Sequence, residues 1–128
     1  MEIIKIECNG TRFEFVCNSR GTRHGFAHDC NLFINDNREQ TAHCHYLNRT
    51  WECWRYQTAC ITALNQEIEW YSNRMLEQWK GEHGYNRMTK TRRGEFDQYL
   101  NGLEYIQTLT TCKNRIKNDR RGFDHERI

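Results

Sequence analysis

The chain has 128 residues, of which only 37% are hydrophobic, and a formal net charge of +2. This balance excludes an acidic coat that imitates nucleic acid and a strongly basic one that would bind nucleic acid over its whole surface. No stretch approaches the roughly 18 apolar residues of a membrane span, and no signal peptide precedes the first strand, so we expect a cytoplasmic protein without membrane contact. Six Phe, six Tyr and four Trp can still fill a core, which predicts one domain over residues 1–128.

The first predicted element is a β-hairpin centred on Asn9-Gly10. Both central positions of a type I′ turn need positive φ, and this dipeptide meets that requirement. A two-residue turn here pairs Ile6 with Phe13 and Ile4 with Phe15. The apolar partners then share one face, so turn chemistry and alternation agree.

Two further strands are predicted to complete an antiparallel β-meander over residues 1–48. A turn at 19–22 leads into a strand from about 24 to 34, whose even positions are mostly apolar. A turn at 35–37 then leads into a strand from about 39 to 47. One face of this four-stranded sheet would be covered by the segments that follow.

From Thr50 the apolar residues recur at steps of three, four or seven, which predicts an amphipathic helix over 50–80. A polar, basic loop follows, and the pattern returns in a second helix over 95–117. The segment 118–128 is expected to be a flexible tail. The predicted fold class is α+β, a four-stranded antiparallel β-meander followed by two long helices packed on one face.

Four potential metal donors lie in the second predicted hairpin. His28 and Cys30 are two residues apart on one strand, and His43 and His45 are two apart on the next. If Asp36-Asn37 is a two-residue loop, His28 lies opposite His45 and Cys30 opposite His43, all on one face. Four nitrogen and sulfur donors so placed suit a tetrahedral site, which gives the hypothesis of one structural Zn²⁺.

A second register of this hairpin is also open. One more residue in the loop turns Ala42, Cys44 and Tyr46 inward and leaves His43 and His45 in solvent. This inner face is the more apolar one. The histidines then need no metal, and cysteines pack as small reduced hydrophobes.

Catalysis is not expected. The seven cysteines include no C-x-x-C pair, no family signature of a nucleophile surrounds any of them, and phosphate-binding fingerprints are absent from the sequence. No Asp or Glu is spaced to act as a general base over the predicted metal. A small metal- or thiol-dependent enzyme is therefore the weakest of the three functional hypotheses, and the two others concern binding.

Two features could bind a partner. The basic segment with Arg87, Lys90, Arg92 and Arg93 could follow a phosphate backbone or an acidic protein patch, and an ordinary solvated loop before a helix is the favoured alternative. Trp70 falls off the apolar stripe of the first helix. An exposed Trp is a typical anchor of protein interfaces.

A family resemblance covers residues 19–64, which are 46 of the 128 residues. The stretches TRHGFAHDCNLF and AHCHYLNRTWECWRYQTACITAL, within residues 19–64, resemble a recurring segment of small proteins encoded by phages and mobile elements of Gram-positive bacteria. The similar part is Tyr46–Glu52 followed by Tyr56–Thr58. Some small proteins of this kind are anti-CRISPR inhibitors of the type II RNA-guided nuclease.

The resemblance implies a phage protein of the host bacterial cytoplasm that binds a CRISPR effector nuclease and blocks it by protein–protein contact. Its His and Cys residues would make it a zinc-stabilised member. The alternative is a phage accessory protein that binds nucleic acid through the basic segment. The sequence leaves the oligomeric state, the surface used and the step inhibited open.

Overall fold

The structure, a computed structural model, describes residues 2–23, 25–35, 37–48 and 57–118, and the side chains of 19, 20, 22, 25–28 and 37–48 lie outside that description. The chain forms strands β1 Glu2–Cys8, β2 Thr11–Thr22, β3 Gly25–Ile34 and β4 Asn37–Asn48, then helices α1 Gln57–His83, α2 Lys90–Asn101 and α3 Glu104–Lys117. The strands form one antiparallel sheet in the order β1-β2-β3-β4. The predicted α+β class is confirmed.

The first hairpin has the predicted turn and register. Asn9 and Gly10 have φ values of 51° and 78°, as a type I′ turn requires. Ile6 pairs with Phe13, and the neighbouring partners follow in step. The local turn chemistry therefore determines which side chains of β1 and β2 face the core.

The turn predicted at 19–22 is wrong, because β2 continues to Thr22 and pairs with β3 from Phe13 to Thr22. Thr22 pairs with Gly25 at the end of the hairpin, and Cys17 pairs with Cys30 near its middle. The longer ladder gives partners to backbone groups that a turn at 19–22 would have left to solvent. Cys17 and Cys30 become cross-strand neighbours as a result.

Of the two registers open for the second hairpin, β3 and β4 adopt the one that pairs Cys30 with Cys44. The pairing shifts between Phe33, which pairs with Thr41, and Ile34, which pairs with Asn37. This irregularity next to the turn places extra residues on β4, which a regular ladder closed by a two-residue loop would not contain.

One core lies between the inner face of the sheet and two of the helices. α1 packs against β3 and β4, α3 packs against β1, and α2 contacts the other two helices. Phe13, Phe15 and Leu32 from the sheet meet Leu64 from α1 and Leu109 from α3, and all five are almost fully buried. Burial of a side chain of this size contributes about 1.5–3 kcal/mol relative to exposure.

The prediction of two helices is wrong in number, because the second predicted helix is divided. α2 ends at Asn101, and Leu103 is extended, with φ −73° and ψ 132°, before α3 begins. Asn-Gly is a dipeptide that typically ends a helix, and Gly102 is the C-cap of α2. The break lets α2 leave the sheet while α3 stays on it.

The helix ends also differ from the predicted bounds. Residues 50–56 of the first predicted helix lie outside the described residues. α1 continues past residue 80 to His83, and the next residue, Gly84, has a positive φ of 68°. α2 begins at Lys90 because Thr89 accepts a hydrogen bond from the Arg92 amide and caps it. The predicted tail lies outside the described residues apart from Asn118, the C-cap of α3.

None of the helices in the described part of the chain combines the length and the apolar composition needed to cross a membrane.

Candidate metal centre and contact surface

Three cysteines meet where the sheet contacts α1. Cys17 and Cys30 are direct cross-strand partners on β2 and β3, so their side chains project from the same face. Cys60 lies in the first turn of α1 and points down onto them. The Sγ of Cys17 lies 3.7 Å from the Sγ of Cys30 and 3.7 Å from that of Cys60, and the Cys30 and Cys60 sulfurs are 4.0 Å apart.

This cysteine triad, Cys17, Cys30 and Cys60, is fully buried, and none of its members forms a disulfide bond. Burial raises the pKa of the Cys60 thiol well above its ordinary value of 9.0, and the neighbouring thiols raise it further. At neutral pH the Cys60 thiol is therefore protonated when no metal is bound. The three sulfur atoms lie close enough together to hold one metal ion.

Of the four predicted donors, Cys30 is the one that the structure brings into this centre. The side chains of His28, His43 and His45 lie outside the described residues, so the four-donor set stays a prediction. In the backbone register His28 pairs with Tyr46, and His43 and His45 pair with residues 31 and 29. The four-donor set was based on His28 lying opposite His45. The strands are not paired in that way, because His28 pairs with Tyr46.

Cys17 and Cys60 are not among the donors that the sequence predicts. Cys17 was missed because the predicted turn at 19–22 ended β2 too early to pair it with Cys30. Cys60 had a usable signal, since it lies four residues before the buried Leu64 and so shares its helix face.

A second pair of buried thiols lies at the other end of the core. Cys8 from β1 and Cys112 from α3 are neighbours, and Arg115 donates hydrogen bonds to the Cys8 sulfur at 3.8 Å and to the Glu7 carbonyl at 2.9 Å. Burial raises the pKa of Cys112, and the Arg115 guanidinium offsets part of that effect. This pair is separate from the cysteine triad, so Cys112 is a natural control for it.

A cleft of about 360 Å³ opens between α1, α3 and the turn after β3. Its lining includes Ile34, Asn35, Glu67, Trp70, Tyr71, Arg74 and Tyr105. Glu67 is only 6% exposed, and its Oε1 accepts a hydrogen bond of 2.7 Å from the Tyr105 hydroxyl. Within the described residues, no Lys, Arg or His forms an ion pair with this carboxylate.

Trp70 stands at the rim of this cleft and is 50% exposed. Arg74, one turn later on α1, holds its guanidinium 5.5 Å from the centre of the indole ring. A large aromatic surface at the edge of a cleft is the arrangement that protein interfaces use as an anchor. The exposure fits the position of Trp70 off the apolar stripe, and its role in binding stays a prediction.

The four predicted basic residues are placed differently from one another. Arg92 stacks on Tyr85 at 3.9 Å and donates a hydrogen bond to the Arg87 carbonyl, and Arg93 lies 3.5 Å from the Asp97 carboxylate. Lys90, Arg92 and Arg93 lie in the first turn of α2 rather than in a loop. Arg92 and Arg93 thus already have partners within the molecule. This weakens the prediction that the four basic residues together bind phosphates.

No protein family, curated protein or solved structure matches this chain.

Proposed function

We propose that this protein binds another protein through the Trp70 cleft, defined as Glu67, Trp70, Tyr71, Arg74 and Tyr105, and that it acts as an anti-CRISPR-type inhibitor of a type II CRISPR effector nuclease. The observation that carries the binding role is a half-exposed Trp70 beside a cleft with a buried carboxylate. The choice of partner rests on the resemblance of residues 19–64. Inhibition by contact needs no catalytic group.

The chemistry of the cleft favours a basic side chain of the partner. Glu67 has a neutral hydrogen-bond donor in Tyr105, and among the described residues no cation neutralises it. An arginine or lysine that enters the cleft would pair with Glu67 and lie against the aromatic rings of Trp70 and Tyr71. A nuclease that holds RNA and DNA has arginine- and lysine-rich surfaces, which is the complementary chemistry.

The near-neutral net charge supports local contact rather than imitation of a nucleic acid. With +2 overall, the chain cannot replace a long phosphate backbone, but one buried carboxylate and one exposed Trp suffice for a hot spot. A contact of this kind would obstruct guide or target binding, or hold the effector in one conformation.

The test is a binding measurement between the full chain and a purified type II effector with and without its guide RNA. We expect a complex at micromolar concentration or tighter, and Trp70→Ala should weaken it at least about tenfold, as the loss of an interface hot spot does. Tyr99→Ala is the matched control, because Tyr99 is 40% exposed and lies outside the cleft. No complex at micromolar concentration overturns the choice of partner, and equal binding by both variants overturns the surface.

Glu67→Gln tests whether a basic side chain of the partner enters the Trp70 cleft. The amide keeps the shape of the side chain and can still accept the Tyr105 hydrogen bond, but it removes the charge. Weaker binding that becomes insensitive to salt supports a basic side chain in the cleft. Unchanged affinity and unchanged salt dependence contradict it.

A further inference from the structure

We infer that the cysteine triad is a binding site for one zinc ion that links β2, β3 and α1. This ligand set shares only Cys30 with the four donors that the sequence predicts. The inference is independent of the partner and of the Trp70 cleft, because the triad lies inside the core.

The spacing of the sulfur atoms fits the metal. The point equidistant from three sulfurs separated by 3.7, 3.7 and 4.0 Å lies about 2.2 Å from each, and the Zn–S bond length is about 2.3 Å. An ion with this bond length sits slightly above the plane of the sulfurs, by about 0.7 Å, close to the displacement in a regular tetrahedron. No movement of the backbone is needed to bring the three ligands together.

The choice of zinc follows from ligand type and charge. Thiolates select soft or borderline ions such as Zn²⁺ and Cu⁺ over Mg²⁺ and Ca²⁺. Three thiolates leave a net charge of −1 around Zn²⁺ and −2 around Cu⁺. Because the site is fully buried, the smaller net charge costs less to desolvate, which favours Zn²⁺.

Binding has a simple proton balance. Each neutral thiol releases one proton to solvent and forms one S–Zn bond, so three protons leave as the ion enters. Structural zinc has four donors in most proteins. Cys44 pairs with Cys30 across β3 and β4. A search for a fourth thiolate ligand therefore begins with a substitution of Cys44.

The site would have a structural purpose. Cys17, Cys30 and Cys60 come from three elements, with Cys60 separated from Cys17 by 43 positions in the chain. A metal that joins them closes long loops and opposes unfolding, since the site does not exist in the unfolded chain. The alternative role for the triad is simple packing of small hydrophobic thiols.

The first experiment uses the wild-type chain and so does not depend on any variant folding. Reduced, metal-free protein, with its fold checked by circular dichroism, is titrated with Co²⁺ as a spectroscopic probe and then with Zn²⁺. We expect thiolate-to-cobalt absorption of an intensity that corresponds to three or more thiolates, saturation at one equivalent, and displacement by Zn²⁺. A folded protein that gives no such absorption, or one from fewer than three thiolates, overturns the site.

The second experiment measures zinc by elemental analysis in protein purified without a chelator. We expect about one zinc per chain for the wild type, as for a single structural site, and a loss of most of it in Cys30→Ser and Cys60→Ser. Cys112→Ser is the matched control, because Cys112 is equally buried but lies outside the triad; it should keep its zinc. Wild-type protein without zinc that also fails to take it up overturns the inference, as does equal loss in Cys112→Ser when all variants are folded.

Discussion

The hydroxyl of Tyr105 donates a hydrogen bond of 2.7 Å to Oε1 of Glu67, across 38 positions of the chain. The bond joins α3 to α1 at the base of the Trp70 cleft, and Tyr71 adds an edge-on ring contact to Tyr105 at 4.7 Å. Glu67 is one of the few polar side chains that the helices bury, and this bond satisfies it. The same contact therefore stabilises the fold and shapes the proposed binding surface.

Tyr105→Phe should lower the free energy of unfolding by about 1–3 kcal/mol, because it leaves the buried Glu67 carboxylate without its donor while the ring still fills its place. Urea denaturation followed by circular dichroism measures the change. Tyr99→Phe removes the same atom from an exposed ring and should have little effect. Equal losses in the two variants would show that the Glu67 bond does not contribute to stability.

The metal-free, reduced protein should lose stability in alkaline solution. Burial raises the pKa of Cys60 above its ordinary value of 9.0, and burial followed by the Glu67 bond raises that of Tyr105 above 10.0. Below pH 9 both groups are protonated in the folded and the unfolded chain, so their stabilising effect is fully present. Above it the unfolded chain loses protons that the folded chain retains, and stability falls as pH rises.

Denaturant unfolding at a series of pH values from about 7 to 11 measures this dependence. A free energy of unfolding that is constant or rises over this range would contradict the prediction. Tyr105→Phe should flatten the part of the curve above pH 10, because the phenol no longer titrates in the unfolded chain.

Two variants of Asn35, in the turn after β3, should distinguish the effect of backbone strain on stability from the effect of a lost hydrogen bond. Asn35 has φ 52°, its Oδ1 accepts a bond of 2.9 Å from the Arg12 amide, and its own amide donates to the Arg12 carbonyl at 2.8 Å. Asn35→Ala loses the side-chain bond and forces alanine into the left-handed region, at a cost of about 1–3 kcal/mol. Asn35→Gly loses the same bond without that strain, so it should be less destabilising.

Thermal melting of the two Asn35 variants gives the comparison. Equal melting temperatures would mean that positive φ is not a source of strain at this position. A glycine variant less stable than the alanine variant would contradict the prediction directly.

Arg92 is expected to act mainly in stability. Its guanidinium lies 3.9 Å from the Tyr85 ring and bonds to the Arg87 carbonyl, which ties α2 to the turn after α1. Arg92→Ala should destabilise the protein by about 0.5–1 kcal/mol through the lost cation–π contact. Arg87→Ala keeps the backbone carbonyl and is the control, with a negligible expected change in melting temperature.

Nucleic-acid binding by the basic residues is the alternative function, and its signature is salt dependence. If it operates, affinity for DNA or RNA falls steeply as salt rises and is lost in Arg92→Ala/Arg93→Ala. We expect no such binding, because Arg92 and Arg93 are engaged with Tyr85 and Asp97. A steep salt dependence in a fluorescence-anisotropy titration, abolished in that double variant, would favour the alternative.

Local signals predicted the first hairpin and most of the core. Asn9-Gly10 determined a turn whose φ values and register the structure reproduces, and Phe96, Ile106 and Leu109 are buried as their spacing predicts. Tyr99 lies three residues after Phe96, and the spacing therefore predicts that it is buried on the same stripe. It is exposed instead, because the break at Gly102 separates the face of α2 from that of α3. A periodic pattern does not show where one helix stops and the next begins.

The sequence by itself determined the α+β fold class, the first antiparallel hairpin and the exposed position of Trp70. Each of these depends on turn chemistry or periodicity within a few neighbouring residues. The cysteine triad was decided only in the tertiary structure. It requires the extension of β2 to Thr22, the pairing of β2 with β3 that brings Cys17 opposite Cys30, and the docking of α1 on the sheet. Contacts between residues far apart in sequence decide these features, and local patterns do not contain them. The bond between Tyr105 and Glu67 is of the same kind, since it exists only once α1 and α3 lie side by side.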